Sequence, residues 1–170
     1  MIARLFRPLI AAAALLLMAA PASAGEKAFG IRAGFNTRNS APMAGLWFQY
    51  SFNSHFRLAP NVDYHFRHNH TDALAINCNA QFPFALGSSR FSVYPLFGLN
   101  YTSWNYHRPD AQASDDNDDV TTRLNRFGTN LGAGLELRVT PTMKITLEAK
   151  TTLIKSYSSG TFSIGLGYCF

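Results

Sequence analysis

The sequence predicts an all-β fold: eight antiparallel strands, each paired with its neighbour in the chain and closed into an up-and-down barrel. Three observations carry that expectation. Eight segments of nine to fifteen residues alternate apolar side chains with polar or small ones, the period of two that belongs to strands. Tight connections alternate with longer polar ones. Of twelve glycines, nine (Gly30, Gly34, Gly45, Gly98, Gly128, Gly132, Gly134, Gly165, Gly167) fall on the polar face, and the other three stand at element ends.

Residues 1–24 lie ahead of the barrel. Arg4 and Arg7 precede an apolar run from Leu9 to Ala20, and Ala22-Ser23-Ala24 follows, the pattern of a signal peptide cleaved after Ala24. The run is too short for a spanning helix, which needs roughly 20 residues. Residues 25–170 then form one domain. Hydrophobic residues make up 47% of the chain without a run of helical membrane length, as expected where two strand faces cancel in any window. Removing Arg4 and Arg7 from a net charge of +5 leaves +3, too little and too scattered to point to nucleic acid.

The first strand, Ala28–Asn36, turns Phe29, Ile31, Ala33 and Phe35 to one face and Gly30, Arg32, Gly34 and Asn36 to the other. Residues 37–43, with Pro42, read as a loop. In the second strand, Ala44–Phe52, Leu46, Phe48, Tyr50 and Phe52 oppose Gly45, Trp47, Gln49 and Ser51. Asn53-Ser54-His55 makes a three-residue turn, the count that returns Phe56 to the face of Phe52. The third strand, Phe56–Arg67, carries Arg57, Asn61, Asp63, His65 and Arg67 on its polar side, and His68–Thr71 reads as a polar loop. A fourth strand, Ala73–Leu86, ends in a Gly87-Ser88 hairpin. The fifth runs from Phe91 to about Asn105, with Tyr94 and Leu96 blurring its polar side.

The longest irregular segment is His107–Asn125, which holds five of the ten acids, Asp110, Asp115, Asp116, Asp118 and Asp119. After it, strand six (Arg126–Val139) sets Gly128, Asn130, Gly132, Gly134, Glu136 and Arg138 on the polar face. Thr140-Pro141-Thr142 turns into strand seven, Met143 to about Lys155, with Lys144, Thr146, Glu148, Lys150 and Thr152 on that face. The closing strand, Gly160–Phe170, alternates Phe162, Ile164, Leu166, Tyr168 and Phe170 with small or polar residues. Cys78 falls on an apolar face and Cys169 on a polar one, so two free thiols are expected.

Glycine decides which face looks inward. An eight-stranded barrel is only just wide enough for side chains, so its concave side needs small residues and the polar face belongs inside. The lumen then gathers Arg32, Arg57, Asp63, His65, Glu136, Arg138, Lys144, Glu148 and Lys150, charges that must pair to be buried. A three-residue turn at Thr140–Thr142 sets Glu136 diagonal to Lys144 and within reach of Arg138. Such an interior holds water but no open pore. Pro60 and Pro95 each forfeit a ladder bond, and bulges beside them are the expected accommodation.

The closing strand, ending on an aromatic, together with this inward polar face, resembles the small eight-stranded outer-membrane β-barrels of bacteria, the family of OmpX and the OmpA transmembrane domain. That resemblance implies a transmembrane barrel in the outer membrane with both mature termini periplasmic. Phe29, Phe52, Phe56, Phe84, Phe91 and Phe170 then ring the periplasmic rim, and Phe35, Phe66, Tyr101, Phe127 and Phe162 the other. It further implies a monomer in contact with membrane lipid and lipopolysaccharide. Tyr168 and Phe170 act as the signal to the barrel-assembly machinery, and the role is structural or adhesive, presented through external loops. Alternatives are a secreted lipocalin-like carrier, a lipid A-modifying enzyme and a narrow porin-like channel.

No catalytic, cofactor or metal set is expected. His65, His68, His70 and His107 lack a spacing that fixes ligand geometry, and Asp115–Asp119 lacks the glycine and distal glutamate of a calcium loop. Lipid A deacylases use a His-x-Ser pair, which no histidine here matches, and a palmitoyltransferase needs an apolar lumen.

Overall fold

Alternation in the sequence becomes one closed antiparallel ladder. A computed structural model describes residues 25–38, 40–87, 90–107 and 121–170, and the signal segment 1–24 lies outside them. The described residues form β1 (Lys27–Asn36), β2 (Ala41–Asn53), β3 (Phe56–His68), β4 (Thr71–Gln81), β5 (Phe84–Ala85), β6 (Phe91–His107), β7 (Thr121–Thr140), β8 (Met143–Leu153) and β9 (Ser159–Cys169). Each long strand pairs with its sequence neighbour, β1 pairs with β9, and β4 pairs with β6, so the sheet closes as an eight-stranded barrel. The short β5 continues β4 on the same partner: Gln81 faces Leu96 and Phe84 faces Val93 in one unbroken register.

The apolar face is outside. Phe127 is 77% exposed and Leu99 68%, while Arg32, Arg57, Asp63, Lys144 and Lys150 are buried. This arrangement is the reverse of a lipocalin-like carrier, which encloses an apolar cavity. Among the described residues no helix is long and apolar enough to cross a membrane; the strands present the apolar band instead. Cys78 is exposed, Cys169 is buried, and both thiols are free.

The inner glycines make room for two large rings. Trp47 lies in the lumen over Gly30, Gly165 and Gly167, and a Cβ added to Gly30 would sit 2.6 Å from its Cζ2. Tyr94 lies against Gly134 in the same way. The two residues that blurred the polar side of their strand, Tyr94 and Leu96, are therefore luminal packing, each 1% exposed.

Several connections differ from expectation. The loop expected over residues 37–43 is shorter, because Ala41, Pro42 and Met43 pair with Asn36, Phe35 and Gly34. The polar segment His68–Thr71 is a two-residue turn: His68 pairs with Thr71, and Asn69 and His70 both take positive φ, the backbone of a primed hairpin turn. Asn53 pairs with Phe56 and Thr140 with Met143, each after a one-residue register shift. The expected three-residue turns are thus two-residue turns plus a bulged residue, which preserves the same facing. Strand four breaks at Phe82–Pro83, where proline offers no N–H to the ladder. Leu86 N bonds Phe91 O, so the following connection is longer than the expected Gly87-Ser88 hairpin; Ser88 lies outside the described residues. Neither Pro60 nor Pro95 carries a bulge: the register runs through Pro60–Cys78 and Pro95–Ala133 unshifted. The irregular segment is also shorter than expected, since His107 and residues 121–125 are paired strand, while its five aspartates lie outside the described residues.

Candidate functional site: the charged lumen and the projecting hairpin

Alternation on β1, β3, β7 and β8 aims their charged residues at the barrel axis, where they meet as two connected clusters. Nearer the chain termini, Arg57 Nη1 donates to Glu136 Oε2 at 2.6 Å and Lys144 Nζ stands 3.3 Å from the same oxygen. Lys144 also donates to Gln49 Oε1 at 2.5 Å and lies over the Trp47 ring at 5.6 Å. The guanidinium of Arg57 covers the Tyr94 ring at 4.6 Å and donates through Nε to Gln81 Oε1 at 2.7 Å. Farther along the axis, Arg32 grips both oxygens of Asp63, donates to Asn61 Oδ1 at 2.6 Å and reaches Glu148 Oε1 at 3.2 Å. Lys150 Nζ lies 3.6 Å from Asp63 Oδ2. Gln81 joins the clusters, donating to Glu148 at 3.4 Å while accepting from Arg57 and Gln49.

A ladder of amides crosses the barrel beside these ions. Asn77 donates to Asn61, and Asn100 and Asn130 both donate to Asn77 Oδ1, each at 2.8 Å. Direct register explains part of the ladder: Asn61 faces Asn77, and Asn77 faces Asn100. Short polar side chains on adjacent strands of a narrow barrel satisfy one another where water is scarce.

Of the expected luminal charges, Arg32, Arg57, Asp63, Glu136, Lys144, Glu148 and Lys150 face the interior in this way. Arg138 does not join Glu136. Its Nη2 bonds Glu26 at 2.6 and 2.7 Å; Glu26 extends the β1–β2 ladder by one residue, its O accepting from Ser51 N, while Lys27 N and O bond Phe170 O and N on the other side. Glu26 also lies 3.9 Å from Lys144. Sequence periodicity gives no signal for it, since it precedes the first strand. Tyr168 and Phe170 are exposed at this terminal end, their rings 6.3 Å apart. His65 turns into the lumen while His68 and His70 are exposed at the β3–β4 turn, so the three do not converge.

At the opposite end β7 rises past β8, while β4 accompanies β6 as far as the Thr71–Tyr106 pair. Tyr101 and Phe127 face each other at 4.9 Å, and six further rungs continue to His107–Thr121. Along β7 the pairing with β8 stops at Thr129–Leu153, so residues 121–128 pair with β6 alone. Six rungs at about 3.3 Å carry the hairpin roughly 20 Å beyond the aromatic pair. Tyr157, in the β8–β9 connection, takes Arg38 at 4.2 Å and Arg126 at 5.6 Å over its ring, which braces the hairpin's root.

A closed ladder with apolar residues outside and ion pairs within defines a membrane-spanning β-barrel, since closure leaves no backbone edge facing hydrocarbon. Residues 10–170 match the family described as outer membrane protein beta-barrel domain, and the chain belongs to that family of the bacterial outer membrane. Its fold is similar to that of the N-terminal barrel of Pseudomonas aeruginosa OprF (TM-score 0.65, 18% identity, 86% of this chain and 100% of that one). Comparable likenesses hold for Ail, the attachment invasion locus protein of Yersinia pestis (0.60, 18%, 86% and 99%), and for Neisserial surface protein A (0.66, 12%, 86% and 97%). Comparison with curated proteins yields no match.

Proposed function

We propose that the protein is a plugged outer-membrane barrel that holds the β6–β7 hairpin away from the membrane as a docking edge, a structural and adhesive role without catalysis or conduction. The observation that carries this reading is the overshoot of β7 past β8: β7 keeps an unpaired ladder edge over residues 121–128, with Thr122, Arg123, Asn125, Arg126 and Phe127 exposed. An open edge is a template for an added strand from another protein, and its exposed side chains choose the partner. Luminal ion pairs support the plugged interior, because a permeating ion would have to displace the Arg32–Asp63 and Arg57–Glu136–Lys144 pairs. Both mature termini then lie in the periplasm, the hairpin outside, and the exposed apolar band meets membrane lipid and lipopolysaccharide as a monomer. Tyr168 and Phe170 serve the barrel-assembly machinery. Ail is named for attachment and invasion, and another structure holds it in complex with the heparin analogue sucrose octasulfate; at 18% identity that likeness carries the fold, so the adhesive role rests on the hairpin.

Shortening the hairpin tests this reading. With Ser103 and Asn125, which face each other, joined by a two-residue turn, the barrel keeps its heat-modifiable gel mobility, while cells carrying it lose retention on surfaces coated with matrix glycoprotein. Unchanged retention would sink the adhesive role.

A further inference from the structure

We propose that the outer half of the lumen contains a site for a small monovalent anion of halide size, held between Lys150, Trp104 and His65. The three side chains line one small cavity with Asp63, Asn100 and Thr152, a space of water-molecule dimensions rather than of an organic ligand. Each of the three is more than nine-tenths buried. Among the described residues, Lys150 Nζ, Trp104 Nε1 and His65 Nδ1 have no hydrogen-bond partner. The ammonium and the indole can only donate. His65 stacks on Trp104 with ring centroids 6.3 Å apart and planes 19° from parallel, which holds both rings at the cavity wall. Asp63 does not absorb the ammonium's protons: Arg32 and Asn77 occupy its oxygens, and Lys150 stays at 3.6 Å, outside hydrogen-bond range.

Two further facts select an anion over water. All five unpartnered buried side-chain atoms among the described residues are nitrogens, on Arg57, His65, Asn79, Trp104 and Lys150, and no side-chain oxygen is unpartnered. Water brings donors as well as acceptors and leaves its own hydrogens to be satisfied; a halide brings acceptor capacity alone. Lys150 is a buried ammonium without a hydrogen-bonded acceptor, a costly state, and a monovalent anion supplies that acceptor.

The chain has two tryptophans, and the second supplies an internal control: Trp47 Nε1 donates to Ile31 O at 3.2 Å and has no need of a guest. In nitrogen-15 spectra of the folded protein in detergent micelles, sodium chloride replaces sodium gluconate at constant ionic strength. The Trp104 indole signal, assigned by its loss in Trp104→Phe, is expected to move saturably with chloride and again with bromide, while that of Trp47 stays. Lys150→Met abolishes the response. A stationary Trp104 signal means water fills the cavity and overturns the proposal, as does equal movement of both indoles or a response that persists in Lys150→Met. The wild-type titration decides the matter alone if that variant does not fold.

Discussion

Replacing Glu136 by glutamine removes one charge from the terminal cluster while keeping its shape. Glu136 is 6% exposed and sits between Arg57 at 2.6 Å and Lys144 at 3.3 Å, so the change leaves two buried cations without their shared anion. Breaking a buried pair by removing one partner costs about 3–5 kcal/mol. Here the lower end applies, because Arg57 keeps Gln81 and the Tyr94 ring, and Lys144 keeps Gln49 and the half-exposed Glu26. A loss of about 3 kcal/mol lowers the folding equilibrium constant by roughly a hundredfold. Reversible urea unfolding in lipid vesicles, followed by gel mobility of unheated samples, reads the shift. Arg57→Gln and the double variant complete a cycle: the double variant is expected to lose about 2 kcal/mol less than the two singles summed, since each single leaves the other's charge exposed to nothing. A Glu136→Gln barrel within about 0.5 kcal/mol of wild type, the range of surface changes, or strictly additive singles, would refute the cluster as a coupled unit.

Gly167→Ala drives a methyl group into the Trp47 ring and should destabilise the barrel by about 1–3 kcal/mol; Trp47→Leu in the same chain should recover most of the loss in the same unfolding assay. Deleting Phe170 removes both backbone bonds that tie Lys27 to the last strand, so the folded, heat-modifiable fraction in outer membranes should fall on immunoblots, with an undiminished fraction counting against that closure. In planar bilayers the intact protein should give no steady conductance steps, whereas Arg57→Ala with Tyr94→Ala, which removes two large luminal side chains that stack on each other, should give them; steps from the intact protein would mean an open pore. In a cysteine-free background, Arg123→Cys should react with a membrane-impermeant maleimide on whole cells and Ser54→Cys only after permeabilisation, and the reverse pattern would invert the proposed orientation.

How much was legible follows from what period two can and cannot encode. Once glycine had chosen the inner face, the facing of Arg32, Asp63, Lys144 and Lys150 needed nothing but parity along each strand. Partners across the barrel are another matter. Glu136 with Lys144 was readable because one hairpin joins them, but Arg138 with Glu26 joins β7 to a residue ahead of the first strand, which no periodicity marks. Residues 121–125 escaped notice for a physical reason: beyond the apolar band a strand has no greasy face to show, so Thr121, Thr122, Arg123 and Asn125 carry no alternation. Asn69-His70 looked like loop because it is polar, although Asn tolerates positive φ and suits a two-residue turn. Pro83 was the available sign that strand four would break.

In a soluble barrel the apolar core both stabilises the fold and chooses the strand register; here those two tasks separate. Lipid accepts any apolar outer face about equally well, so the exposed leucines and phenylalanines drive insertion without distinguishing one pairing from the next. A slip of one residue between strands is what must be prevented, and it exchanges the two faces of a strand. For β8 such a slip turns Lys144, Glu148 and Lys150 outward, at about 2–4 kcal/mol for a lysine at the bilayer midplane and less for Lys144 beside the turn. That penalty falls on the wrong structures alone, so it holds even where the luminal pairs add little net stability to the right one. The charged lumen therefore selects this register, and with it the stagger that leaves β7 without a β8 partner beyond Thr129 and sends the hairpin out of the barrel.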